Sequence, residues 1–121
     1  MAKRVLIVDD AIFMRDMLRD IFTADGFEIA GEAVHGLEAI DKYKELRPDL
    51  VTMDIVMPFK SGIEATREIV KSDPTAKVIM CSALGQEALV MEAIESGASD
   101  FIVKPFRSED VLSIVHKVLG D

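Results

Sequence analysis

Five short strand-like runs punctuate the chain: Val5–Val8, Phe27–Ala33, Leu50–Met53, Val78–Cys81 and Phe101–Val103. Apolar runs of this length, bounded by polar residues, predict buried strands. Between and after them the spacing changes to that of amphipathic helices. Phe13, Met14, Met17, Leu18 and Ile21 line the first helix, and Gly26 stops it. Leu37, Ile40, Tyr43 and Leu46 line the second, which breaks at Pro48. The third runs from Ile63 to Val70 and ends before Asp73-Pro74. The fourth runs from about Gln86 to Ser96, ahead of Gly97. The fifth carries Val111, Ile114, Val115 and Val118, with Ser108 as its predicted N-cap.

Strict alternation of strand and helix predicts an α/β fold, a parallel sheet with helices on both faces. The expectation is a single doubly wound (βα)5 domain over residues 1–121. The strand order 2-1-3-4-5, flavodoxin-like, is adopted from precedent because spacing alone does not yield it. In that order the first and third strands adjoin, and ligands bind outside their carboxyl ends.

Composition narrows the classes. A 121-residue chain that is 50% hydrophobic can form one core without disulfides or structural metal. No run is long enough to span a bilayer, and no signal-type segment opens the chain. A cytoplasmic monomer with no membrane partner is therefore expected. The net charge of −8 argues against nucleic acid, whose binders cluster Lys and Arg. Cys81 is the only cysteine, which excludes an intrachain disulfide. It lies inside an apolar run and reads as a packed core thiol.

The candidate chemistry lies where the strand-like runs stop. The first ends in Asp9 and Asp10, the third in Asp54, the fourth in Ser82 and the fifth in Lys104. Solvation or capping accounts for one or two such residues, but poorly for all of them at one sheet edge. Three converging carboxylates need protons or a cation, and an all-oxygen site suits Mg²⁺. One carboxylate beside that metal can act as a nucleophile. A lysine and a short hydroxyl can each take a phosphoryl oxygen. Together they fit phosphoryl transfer onto Asp54. Val8-Asp9-Asp10-Ala11-Ile12 is no glycine-rich nucleotide loop, and no Walker loop occurs elsewhere. The phosphoryl group therefore comes from a donor other than a nucleotide bound here.

Over its whole length the chain resembles the receiver domain of two-component response regulators. The resemblance rests on Val8-Asp9-Asp10, Met53-Asp54-Ile55-Val56-Met57-Pro58, Ser61-Gly62, Ser82-Ala83 and Lys104-Pro105-Phe106, in that order and spacing. Receivers are themselves a standing example of the 2-1-3-4-5 order, so the resemblance and the assumed order are not independent. The resemblance implies Asp54 as phosphoacceptor and Asp9 and Asp10 as Mg²⁺ holders, with the Val56 carbonyl a further metal ligand. It implies that Ser82 and Lys104 contact the phosphoryl group, that Phe101 is the aromatic switch residue, and that the Lys104-Pro105 bond is cis. Such a protein catalyses only its own phosphorylation and dephosphorylation.

Lys3 to Ala11, Met80 to Gln86 and Asp100 to Phe106 are similar to the stand-alone chemotaxis regulators of Gram-positive and Thermotoga-like bacteria. That likeness implies a histidine kinase (CheA-like) as phosphodonor and a flagellar motor switch protein (FliM-like) as output, with a CheC/CheX-type phosphatase as a further partner. Phe101 stands where many relatives have Tyr, Ser82 where Thr is common, and Val56 where polar residues are frequent.

Leu89, Val90, Met91, Ala93 and Ile94 form too broad a stripe for one buried helix face, and Leu112 and Leu119 lie off the main stripe of the fifth helix. These positions fit either a wide core contact or a partner-binding patch. His35 reads as a surface turn residue, His116 as exposed, and Arg15 and Arg19 as a solvated helix face. An aspartate-nucleophile phosphatase of the haloacid dehalogenase type is disfavoured, because its two acids are separated by one residue on one strand end. A receiver cut from a larger regulator stays open, although the ending Leu119-Gly120-Asp121 favours a stand-alone protein.

Overall fold

The computed structural model describes residues 2–83 and 85–120. Its elements are β1 (Arg4–Val8), α1 (Ile12–Ala24), β2 (Glu28–Ala33), α2 (Gly36–Leu46), β3 (Leu50–Asp54), α3 (Gly62–Ser72), β4 (Val78–Ala83), α4 (Glu87–Glu95), β5 (Asp100–Lys104) and α5 (Ser108–Leu119). The strands form one parallel sheet in the order β2-β1-β3-β4-β5. Each predicted element is present, and the adopted order holds. Asp54, Ser82 and Lys104 belong to the strands themselves, within one residue of their ends.

Alternation along the strands sorts the core into two layers. Leu6, Val8, Val51, Met53, Val78 and Met80 pack with Ile40, Tyr43, Ile63, Ile69, Val90 and Ala93 from α2, α3 and α4. Val5, Ile7, Leu50, Ile79 and Ile102 pack with Leu18, Phe22, Val111 and Val115 from α1 and α5. Truncating a fully buried ring such as Phe22 to Ala costs about 3–5 kcal/mol.

Helix ends follow local chemistry. Gly26 supplies the positive φ of +87° just after α1, where it was expected to stop the helix. A capping box opens α3: Ser61 Oγ accepts from the Glu64 N–H, and the Glu64 carboxylate accepts from the Ser61 N–H. His35 is more than a turn residue. It N-caps α2, its Nδ1 accepting from the Glu38 N–H at 3.2 Å.

Five further readings are corrected. Ser108 is not the N-cap of α5; Arg107 takes that position without a side-chain cap. Glu109 and Asp110 in the first turn complement the helix dipole instead. Phe13 is not on the buried stripe of α1, which runs Met14, Leu18, Phe22 at i, i+4, i+8. It is one position off that stripe and is exposed, as is Leu37 on α2. His116 is half-buried, its Nε2 2.8 Å from Asp25 Oδ2. Arg15 is not solvated; it bonds the Asp9 carbonyl and the Glu32 carboxylate. No helix among the described residues is long and apolar enough to cross a membrane.

Candidate functional site

Register places the polar strand ends side by side. Val8 of β1 pairs with Met53, so Asp9 and Asp54 come next along adjacent strands. Asp54 pairs with Cys81, and Ala83 with Lys104. Asp9, Asp54 and Lys104 continue the parity of Ile7, Leu50 and Ile102, the α1/α5 side of the sheet. Ser82 continues the parity of Val78 and Met80, the other side.

The three acids converge: Asp9, Asp10 and Asp54 each offer an oxygen, all within 4.8 Å of one another. Asp9 is 1% exposed, and both its oxygens are engaged. Oδ1 accepts from the Ala11 N–H at 2.9 Å, and Oδ2 from Lys104 Nζ at 3.0 Å. The same ammonium lies 3.3 Å from Asp54 Oδ1. Asp10 is exposed at the mouth. Burial pushes the Asp54 carboxyl up to about 6 from 3.8, and Asp9 adds to the rise while Lys104 opposes it. Burial works to lower Lys104, but its hydrogen bond to Asp9 and the charges of Asp54 and Asp9 outweigh it, and the net shift is upward. Burial also pushes the Cys81 thiol to about 12, which keeps it protonated and inert.

The surroundings are shaped by close backbone approach. A Cβ on Gly62 would sit 2.0 Å from the Asp54 carbonyl oxygen, so only glycine fits where α3 begins against β3. The Gly62 N–H donates to the Ile55 carbonyl at 2.8 Å, closing the loop that carries Val56. The Lys104-Pro105 bond is cis. Ser82 is buried, and its Oγ has no hydrogen-bond partner among the described residues. A buried hydroxyl left unpaired marks a place for a missing acceptor or donor. Beside it a cavity of about 260 Å³ is lined by Ser82, Gln86, Val90, Met91, Phe101 and Val103. Gln86 Oε1 accepts from the Ala83 N–H at 2.7 Å, between Ser82 and α4.

Sequence reasoning missed Arg15. Its Nη1 donates to the Asp9 carbonyl at 2.7 Å, and its Nε pairs with Glu32 Oε1 at 3.0 Å. A signal was available: an arginine one turn into the helix after Asp9-Asp10, and an acid interrupting the second strand-like run. Nothing local says that the two meet.

The oxygen-only donor set, its mutual repulsion and the unpaired hydroxyl suit a hard divalent cation and a phosphoryl group at one edge. The family model of the response regulator receiver domain matches residues 5–116. The chain belongs to the response regulator receiver family. It is 63% identical over 118 residues to the chemotaxis protein CheY of Thermotoga maritima, covering 98% of each. Identity to Bacillus subtilis CheY is 56% over 120 residues, with 99% of this chain and 100% of the relative covered. The crystal structure of the CheX-CheY-BeF3-Mg complex from Borrelia burgdorferi matches at 46% identity and a TM-score of 0.92, covering 96% of this chain and 88% of that one. This receiver is thus of the CheY chemotaxis type, a signalling phosphoacceptor and not a conventional enzyme. Its acid triad is that of receiver domains, and the Borrelia structure carries Mg²⁺.

Proposed function

We propose that Asp54 accepts a phosphoryl group from a phosphohistidine of a histidine kinase, with Mg²⁺ held by Asp9, Asp10, Asp54 and the Val56 carbonyl. The observation that carries this reading is Lys104 Nζ bridging Asp9 and Asp54, 3.0 and 3.3 Å away, within a convergent cluster of three acids. A bound Mg²⁺ neutralises the acids and polarises the phosphoryl oxygens. An Asp54 oxygen forms the new bond to phosphorus, and the phosphorus–nitrogen bond breaks with its electron pair going to the imidazole. Lys104 stays beside the developing charge. Ser82 supplies its unpaired hydroxyl to another phosphoryl oxygen.

A macromolecular donor suits the rim. Ile12, Phe13, Val34, Val56 and Phe59 are exposed apolar residues on the segments that flank the acids. Phe59 is 84% exposed and held at a φ of +68°, its ring 5.0 Å from that of His35. A bulky residue in that backbone region is an outlier that costs stability, which favours a functional placement. Apolar surface around an acid pocket fits a protein carrying phosphohistidine better than a free small molecule. A phosphatase of the CheC/CheX type would meet the same rim; in the Borrelia structure CheY is in complex with CheX.

Output would lie on α4, β5 and α5. Ser82 moves towards the phosphoryl group, and the Phe101 ring turns into the cavity beside it, shifting the population of two packings. The partner on that surface is a flagellar motor switch protein of the FliM kind.

Acetyl phosphate with Mg²⁺ should add one phosphoryl group to the wild type and none to Asp54→Asn, read by intact mass. Equal labelling of the variant would overturn the assignment of Asp54. Labelling that persists in EDTA would count against Asp9 and Asp10 as metal holders.

A further inference from the structure

The turn Asp9-Asp10-Ala11 is held through its backbone by a residue outside the acid triad. Arg15 is nearly buried, its side chain 12% exposed. Its guanidinium spans two elements, donating through Nη1 to the Asp9 carbonyl at 2.7 Å and through Nε to Glu32 Oε1 at 3.0 Å. Glu32 is in turn fixed: Arg19 pairs with its other oxygen, and Lys42 of α2 donates to its backbone carbonyl. The Asp9 carbonyl belongs to the peptide that leads into Asp10, the exposed member of the acid triad. Asp9 itself is already fixed by the Ala11 N–H, by Lys104 and by its own N–H on the Ala33 carbonyl. The Asp9-Asp10 peptide is what remains to be oriented, and Arg15 is the group that holds it.

We infer that Arg15, locked by Glu32, is a positioning residue for the metal-holding turn, setting where Asp10 presents its carboxylate. This inference rests on the acid triad being the Mg²⁺ site. A fork-shaped guanidinium suits the task because its nitrogens meet two acceptors in fixed geometry, which a lysine's single ammonium cannot reproduce. Groups that orient metal ligands without touching the metal affect affinity strongly.

Electrostatics alone predicts the opposite sign, which makes the inference sharp. Removing a cation near three acids should strengthen the attraction of Mg²⁺. Removing the grip should weaken it. The test is an MgCl₂ titration of the full chain, followed by amide chemical shifts of Asp9 to Ala11, for wild type, Arg15→Met, Arg15→Lys and Arg107→Met. Methionine keeps an apolar stem, and urea melts in metal-free buffer check that each variant is folded. Arg15→Met should bind Mg²⁺ about 10-fold more weakly than wild type. Arg15→Lys should also fall below wild type, since it keeps the charge but cannot span both acceptors. Arg107→Met, which removes the same charge from an exposed position in the β5–α5 loop outside the Arg15–Glu32 network, should bind as tightly as wild type or tighter. Arg15→Met binding as tightly as wild type overturns the inference. If that variant fails to fold, Arg15→Lys at wild-type affinity overturns it equally. A wild type that binds no Mg²⁺ would instead sink the assignment of the acid site.

Discussion

Asp54 carries the tension of the site. Its carboxyl titrates near 6 because it is buried beside Asp9, and Lys104 only partly offsets this. A carboxyl raised above its unfolded value stabilises the fold below that unfolded value, and the contribution is lost as pH rises through the folded one. In metal-free buffer, the stability of the wild type should therefore fall relative to Asp54→Asn between about pH 4 and about pH 6. Urea midpoints for both proteins across that range would show it, and a constant gap would refute it. Lys104→Ala removes the ammonium that faces both acids. Its Asp54 should titrate above the wild-type value, which side-chain carboxyl NMR reads directly. At this scale the sequence was informative about Asp9, Asp10, Asp54, Ser82 and Lys104, because each ends an apolar run and so must reach the edge of a buried sheet. It was silent on Arg15, since a helix position says nothing about which strand residue it meets.

The loop between β3 and α3 is the element on which the site depends most. It starts at Asp54, carries Val56 and Phe59, and closes on Gly62. Gly62→Ala places a methyl 2.0 Å from the Asp54 carbonyl, where backbone must move. It should cost about 1–3 kcal/mol by denaturant melt and slow Asp54 labelling, because the displaced atom belongs to Asp54 itself. Labelling at the wild-type rate would mean that the loop adapts. By contrast, Ser61→Ala at the cap should cost about 1 kcal/mol and leave the labelling rate nearly intact. Helix stops were readable from Gly26 and Pro48, whose backbone restrictions are local. The start of α5 was not, because Ser108 fits a cap by residue type while its first-turn acids made a side-chain cap dispensable.

Across the molecule, a cavity lined by Ser82 and Phe101 lies between the acid edge and α4 and β5. The broad apolar stripe of α4 divides as packing requires. Val90 and Ala93 are buried, Leu89 packs against the core from its edge, and Met91 and Ile94 face outward. Met91, 62% exposed, lies on the lining of the cavity that Phe101 would enter. Met91→Glu should weaken binding of phosphorylated protein to a motor switch peptide while leaving acetyl phosphate labelling unchanged. Unchanged peptide affinity would remove α4 from the output surface.

The order of elements and the polar residues at strand ends could be read from the chain alone, because helical and strand periodicity and the abrupt ending of apolar runs are local properties. Tertiary structure decided which ends become neighbours. Lys104 meets Asp9 across 95 positions of sequence, and only the crossovers that set β1 beside β3, and β4 beside both β3 and β5, bring them together. The raised pKa of Asp54, the unpaired hydroxyl of Ser82 and the grip of Arg15 on the Asp9 carbonyl are products of that proximity. They arise from desolvation and from hydrogen bonds between distant segments, for which no local pattern carries a signature.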